Sequence, residues 1–337
     1  MNSGKSPIIN IKKLDLTWAT QDPFLFCVHH RDQYPAGEAD FGPPQASLKG
    51  RNIGQDFTLK DGWRMYHGSR VPGFPAHPHR GFETVTVVLD GYVDHSDSHG
   101  ASGRYGEGDV QWMTAGSGLQ HAEMFPLLNR DSANPGELFQ IWLNLPKKNK
   151  MVDPHYTMLW SEDIPTHKQA GVDVRIIAGK FQGLTPPPPA PNSWARDPEN
   201  EVSIWIITLE SNTQWVLPAA GSELNRSLYF YEGSEISVAG KDFGVSHSLD
   251  LVPDADVEIK SGDSEARLLL LQAKPIGEPV AQYGPFVMND RAELEQAFSD
   301  YHETQFGGWP WSERDPVHGP DKRRFATFAD GTEETRS

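Results

Sequence analysis

Gly73-Phe-Pro-Ala-His77-Pro-His79-Arg-Gly-Phe-Glu83-Thr-Val-Thr-Val-Val-Leu89 is the stretch on which the reading of this chain turns. Its second half, Glu83–Leu89, is short, apolar and rich in β-branched residues, so it reads as a strand rather than a helix. Side chains alternate faces along a strand, so His77 and His79 point the same way, with Cβ atoms roughly 7 Å apart. The same count carried onward puts Glu83, Val85, Val87 and Leu89 on the histidine face and Thr84, Thr86 and Val88 on the other; a bulge at Pro78 or Gly81 would break it. Counted this way the two imidazoles face an apolar interior, where a metal ion is one of few partners that can satisfy both rings. A His-x-His read alone is more often a pair of ordinary loop histidines ahead of a strand; a downstream Gly-rich turn and His-x-Glu tip it toward a metal.

Outward from this segment the pattern stays β. Val110–Thr114, Leu138–Leu145, Val174–Ala178, Val202–Leu209, Ser227–Tyr231 and Arg267–Ala273 are further short apolar runs. Turn residues separate them, as in Leu89-Asp-Gly-Tyr, Tyr105-Gly-Glu-Gly-Asp and Tyr231-Glu-Gly-Ser, which suits hairpins closing into a barrel or sandwich. The clearest helix is Asp290–Tyr301, capped by Asn289 or Asp290, with Leu294, Ala297, Phe298 and Tyr301 on one face. At 337 residues the chain is long enough for two domains. Val87-Val-Leu-Asp-Gly-Tyr-Val and Tyr229-Phe-Tyr-Glu-Gly-Ser-Glu-Ile echo each other across the halves. The break falls near Lys147–Thr166, giving domains at 1–146 and 147–288, with 289–337 as a helix and an arm packed by its aromatics and fraying in Asp330–Ser337. Thr185–Pro191 (TPPPPAP) is a stiff loop or lid, because its prolines cannot donate to a sheet.

Composition removes several classes of function. Asp and Glu outnumber Lys and Arg by 46 to 30, for a net charge of −16, and a field of that sign repels nucleic acid and anionic lipid. No run approaches the roughly 18 apolar residues of a membrane helix, and the start lacks a signal peptide's apolar core, so the expectation is a cytoplasmic protein. With Cys27 as the single cysteine, a metal site has to be built from His, Asp or Glu. Gly108–Glu123 (GDVQWMTAGSGLQHAE) supplies such a second cluster, and His121 and Glu123 share a face if the segment is extended. Three imidazoles and a carboxylate suit a divalent first-row ion and leave positions open for substrate or dioxygen.

These segments resemble the pirin family of the cupin superfamily. The likeness runs through His77–Thr86 and Gly108–Glu123, almost residue for residue, and extends to Gly277–Asn289 (GEPVAQYGPFVMN). It implies an all-β bicupin: two tandem jelly-roll-like barrels with a short C-terminal helix and extended tail. The N-terminal barrel would bind Fe(II), or another divalent first-row metal, through His77, His79, His121 and Glu123, while the C-terminal barrel would lack metal ligands. Val202–Ala273 agrees, holding only His247. Cupins in general take their carboxylate from the position of Glu83; the pirin pattern uses Glu123, which puts Glu83 behind the site, holding a ligand imidazole by its other nitrogen. Residues 31–72 are longer than the family pattern leads one to expect.

The resemblance further implies a quercetin 2,3-dioxygenase-like oxidoreductase acting on a flavonol or similar enol with O₂, with Glu123 as the catalytic base. Its alternative is an iron-dependent regulatory binding protein that partners a transcription factor or enzyme and makes no direct contact with nucleic acid. Other motifs read more simply. His95-Ser-Asp97-Ser-His99 is a polar hairpin with His95 and Asp97 bonded to each other or to backbone. His29 and His30 are adjacent and face opposite ways, so at most one enters a given pocket. Cys27 is a small buried hydrophobe. Gly116-Ser-Gly118 lies between strands, so it is neither a nucleophile elbow nor a phosphate loop.

Overall fold

The computed structural model describes residues 6–336. They form two compact β units. One comprises Val28–Ser161 and the chain from Glu278 onward; the other comprises the chain up to Cys27 and Glu162–Gly277. The expected division at 146 and 288 therefore shifts. The N-terminal segment belongs with the second unit, and the C-terminal helix and arm belong with the unit that carries the histidines. Among the described residues no helix is long and apolar enough to cross a membrane.

In the histidine-bearing unit the strands are β1 (Phe24–Tyr34), β2 (Gly73–His79), β3 (Phe82–Asp90), β4 (Tyr92–Asp97), β5 (Ser102–Gly106), β6 (Val110–Thr114), β7 (Leu119–Met124), β8 (Asn134–Asn144), β9 (His155–Leu159), β10 (Ala281–Tyr283), β11 (Phe286–Met288), β12 (Arg324–Thr327) and β13 (Glu333–Arg336). One sheet runs β9-β6-β3-β8-β1 and a second runs β13-β12-β5-β4-β7-β2. Val88, Leu138 and Met158 of the first and Val93, Tyr105 and Ala326 of the second share one buried core. The turns expected to close hairpins at Asp90-Gly91 and Gly106–Asp109 instead carry the chain from one sheet to the other. That is how a sandwich of short strands closes with few free edges.

Parity also breaks at Gly81. Its φ is +85°, and a Cβ there would lie 2.0 Å from the Val287 carbonyl oxygen. The chain turns between β2 and β3, so the two strands lie in different sheets and no single alternation runs through both. The buried Lys150 ammonium holds the corner, donating to the Gly81 carbonyl at 2.8 Å, Asn144 Oδ1 at 2.7 Å and the Val287 carbonyl at 3.1 Å.

Helix α1 (Arg291–Thr304) starts where the cap residue predicts, Asp290 accepting from the Glu293 amide at 2.9 Å, and it buries Leu294 and Ala297. The arm does not fray. β12 pairs with β5, β13 pairs with β12, and Trp160 Nε1 donates to Glu334 at 2.6 Å; Ser337 lies outside the described residues. The 31–72 segment is fixed by Arg51, which donates to Asp56 Oδ2 and the Trp63 carbonyl, both at 3.0 Å, and lies over the Trp63 ring.

The other unit has a seven-stranded sheet ordered Ile8–Lys13, His247–Leu251, Asn225–Glu232, Ala266–Ala273, Ser203–Leu209, Val172–Ala178, Thr166–Gln169, and a four-stranded sheet. The two enclose an apolar core that includes Trp205, Leu228, Leu270, Ile236 and Ile259. Its Glu232–Glu235 turn carries the chain between sheets as the Asp90-Gly91 turn does, so the sequence echo marks the same structural corner in each unit. Cys27 is buried, and burial pushes its thiol up, as its apolar neighbours predict. Thr185–Pro191 forms no strand.

Candidate metal centre

β2 and β7 are antiparallel, with His77 directly opposite His121 and His79 opposite Leu119. A register shift between Phe74 and His77 sets this pairing. Period-two alternation then brings His77 and His79 of one strand and His121 of its neighbour to one face, their ligand nitrogens within 4.8 Å of one another. Ring centroids are 4.5 Å apart for His77–His121, 4.8 Å for His77–His79 and 4.9 Å for His79–His121. Glu123, two residues along β7 on the same face, places Oε2 3.8 Å from His121 Nε2. The three histidines therefore converge, and Glu123 lies beside His121.

Burial sets their chemistry. Desolvation pushes His77 down to about 4 and drives His79 and His121 well below the ordinary imidazole value, and the neighbouring rings add to the shift of His121. All three are neutral near pH 7, with a nitrogen lone pair free to bind an ion. His77 Nδ1 faces the Pro75 carbonyl at 2.9 Å and His79 Nδ1 the Pro285 carbonyl at 3.4 Å, which leaves Nε2 of each for a ligand. Both ring nitrogens of His121 are buried without a hydrogen-bond partner. A fully desolvated imidazole with neither nitrogen satisfied is costly, and a cation between these rings removes that cost.

The carboxylate is held differently from expectation. Glu83 lies on the face of β3 away from Thr86, and it accepts from Thr114 Oγ1 at 2.7 Å. Backbone carbonyls take the supporting role assigned to it at His77 and His79. Thr86, which the unbroken parity count had placed facing outward, instead reaches Glu123 Oε1 at 3.0 Å. Tyr105 Oη donates to the same oxygen at 3.3 Å and Gln140 Nε2 to Oε2 at 2.8 Å. Burial raises the Glu123 carboxyl above the usual range, while His95 and these three donors pull it back.

His95 and Asp97 bond to each other, Nε2 to Oδ2 at 3.4 Å, as the hairpin reading predicts. Yet β4 is the other neighbour of β7, with His95 opposite Glu123 and Asp97 opposite His121, and the His95 ring lies 5.6 Å from that of His121. Sequence reasoning left this fourth histidine outside the cluster; its register with the later His-x-Glu is what would have shown it. His29 and His30 are both satisfied elsewhere, by Glu137 and Tyr66 at 2.8 Å each.

Helix α1 and the arm brace the ligand strands from outside. Arg80, next to His79, donates to Asp300 at 2.6 Å. Gln120, next to His121, donates to the carbonyls of Gln305 and Gly308 and accepts from Tyr301 Oη. The Ala76 amide donates to the Arg314 carbonyl at 2.7 Å, covering the outer edge of β2.

The Pirin family model matches residues 43–143, and the model of the Pirin C-terminal cupin domain matches 204–307. Pirin-like protein 2 of Arabidopsis thaliana is 39% identical over 241 residues, covering 68% of this chain and 70% of its own. This chain belongs to the pirin family. A Pseudomonas aeruginosa pirin relative named "Putative quercetin 2,3-dioxygenase" is also 39% identical, over 238 residues that cover 69% of this chain and 80% of that one. Among solved structures, a quercetin 2,3-dioxygenase from Acinetobacter baumannii superimposes with a TM-score of 0.71 at 23% identity, over 90% of this chain and 99% of that one. This likeness is one of fold, and with the C-terminal family match it makes the two β units the two cupin domains of a pirin bicupin.

Proposed function

We propose that this pirin is a metal-dependent dioxygenase that opens a flavonol such as quercetin at its 2,3 bond, with O₂ as co-substrate. His77, His79, His121 and Glu123 would hold the ion, Fe(II) in the first instance. The observation that carries this reading is His121, buried between two other neutral imidazoles with no partner for either nitrogen. When bound, the ion supplies Lewis acidity toward the substrate's enolic oxygen and electron transfer toward dioxygen.

The chain's own residues supply position and proton transfer. Glu123 is the base that takes the proton of the flavonol 3-hydroxyl, and burial suits it to that role by raising its proton affinity. Thr86, Tyr105 and Gln140 fix the carboxylate's orientation. Trp142, half-buried with its ring 5.4 Å from that of His79 and backed by the buried Phe82 ring at 4.2 Å, offers a face against which a planar ring system can stack. The name of the Pseudomonas relative supports the same substrate class.

The test mixes iron-loaded protein with quercetin and follows flavonol absorbance together with oxygen uptake. H79A and E123A should lose both metal retention and turnover. Full activity in metal-free protein overturns the reading. Turnover no faster than that of free iron, with a protein partner recovered on the iron-loaded form, replaces it with the regulatory role.

A further inference from the structure

The domain without the histidine cluster is not an empty copy. On three neighbouring strands, Ser203, Gln272 and Arg226 stand in register, Gln272 between the other two. Two residues along each strand, on the same faces, Trp205, Leu270 and Leu228 belong to the apolar core. Period-two alternation therefore turns the polar row inward, as the last layer of that core.

Arg226 is only 1% exposed. Its Nε donates to Gln272 Oε1 at 2.6 Å and its Nη2 to the Pro218 carbonyl at 2.8 Å, while Nη1 is buried with no hydrogen-bond partner. Among the described residues no carboxylate forms an ion pair with it. Burying a guanidinium this way is expensive, and desolvation pushes it down to about 10, with Asp256 and Glu201 acting from farther off to pull it back.

The group borders a cavity of about 670 Å³, within the ordinary size range of small-molecule sites. Trp205 and Phe181 give it an aromatic wall, and Pro186–Pro189 of the stiff loop close one side. The other charged residues that line it, Lys180, Arg196, Asp197 and Glu201, are exposed and cancel in sign, which leaves Arg226 as the one buried charge facing it.

We propose that this cavity is a second ligand site, separate from the histidine cluster, for a small monoanionic carboxylate with an apolar or aromatic body. The carboxylate accepts from Nη1 of Arg226, and its apolar body lies against Trp205 and Phe181. A single negative charge matches the single buried cation; a phosphate dianion would leave charge uncompensated in an apolar pocket.

Benzoate and its neutral isostere benzamide test this by calorimetry on the full-length, metal-loaded protein. Benzoate should bind at least ten-fold tighter than benzamide. R226M should weaken benzoate at least ten-fold with metal content and circular dichroism unchanged. Should R226M fail to fold, A219W, at an exposed position on the rim, fills the cavity without touching the core and should block benzoate equally. Equal affinity for the two probes, no benzoate binding, or binding that survives R226M or A219W overturns the site. Benzoate binding that survives R226M and disappears on chelation places the probe on the metal centre instead.

Discussion

Thr86 and His121 show how single side chains make this centre directional. His121 has no donor or acceptor for either nitrogen, whereas Glu123, two residues on, has three donors, so the site offers an ion free imidazole nitrogens and an already oriented carboxylate. The single Thr86 proton is shared between Glu123 Oε1 at 3.0 Å and Gln140 Oε1 at 2.8 Å, so T86V removes a donor to the carboxylate and, at constant shape, also releases the Gln140 amide that donates to it. Losing one hydrogen bond to a charged group costs about 1.5–3 kcal/mol, so turnover with quercetin should fall by about ten-fold or more while metal content holds; unchanged turnover would show that Glu123 is fixed without Thr86. His30 carries a prediction of another kind. Burial, with Arg64 and His29 nearby, pushes it from 6.5 down to about 3. The unfolded chain therefore takes the proton first as pH falls, so stability is full above 6.5 and is lost toward 3, at about 1.4 kcal/mol per pH unit. Urea unfolding of H30Q should lose about 2 kcal/mol less than the parent between pH 7 and pH 5; parallel pH profiles would refute this.

At the scale of elements, the strands read from the sequence were legible because each holds a short run rich in apolar residues, and the ligand pairs were legible because alternation needs only a spacing of two. Alternation alone does not say whether the count runs on or breaks at Pro78 or Gly81, the two positions where a bulge would stop it. It breaks at Gly81, whose positive φ sends β3 into the other sheet and exchanges the faces assigned to Glu83 and Thr86. Tyr105 and Gln140 were invisible for a related reason. Tyr105 lies in the same sheet two strands from Glu123, and Gln140 reaches it from the facing sheet, so both contacts depend on strand order and sheet closure rather than on spacing along the chain. Helix α1 was readable from its cap and its apolar spacing, but its task was not. Asp300 holds Arg80, whose chain neighbour is His79. D300N weakens that brace, a part-exposed pair worth about 1 kcal/mol, and should loosen metal binding several-fold in a chelator competition. E295Q breaks an exposed pair on the same helix and should leave affinity unchanged. Equal effects of the two would mean that the helix acts only through overall stability.

For the whole molecule, the division into units could not be read along the chain, because sheet membership is decided by pairings between distant segments. Ile8–Lys13 pairs with His247–Leu251, and Arg324–Thr327 pairs with Ser102–Gly106. Arg324–Thr327 lies C-terminal to both family matches, which end at residues 143 and 307. The arm finishes the histidine-bearing domain: β12 covers the edge of β5, Arg324 pairs with the buried Asp109 at 2.8 Å, and the His318 amide donates to Asp94 at 2.8 Å. An exposed β edge invites pairing between copies, and a buried carboxylate stripped of its arginine is destabilising. A chain ending at Gly319 keeps all four candidate ligands and the His318 contact but loses β12 and β13. It should therefore bind metal when freshly purified, melt several degrees lower, and shift toward larger species on size-exclusion chromatography as concentration rises. A truncated chain that stays at the parent's elution volume and melting temperature would show that the arm is a passenger; one that also fails to bind metal would show that the arm shapes the centre itself.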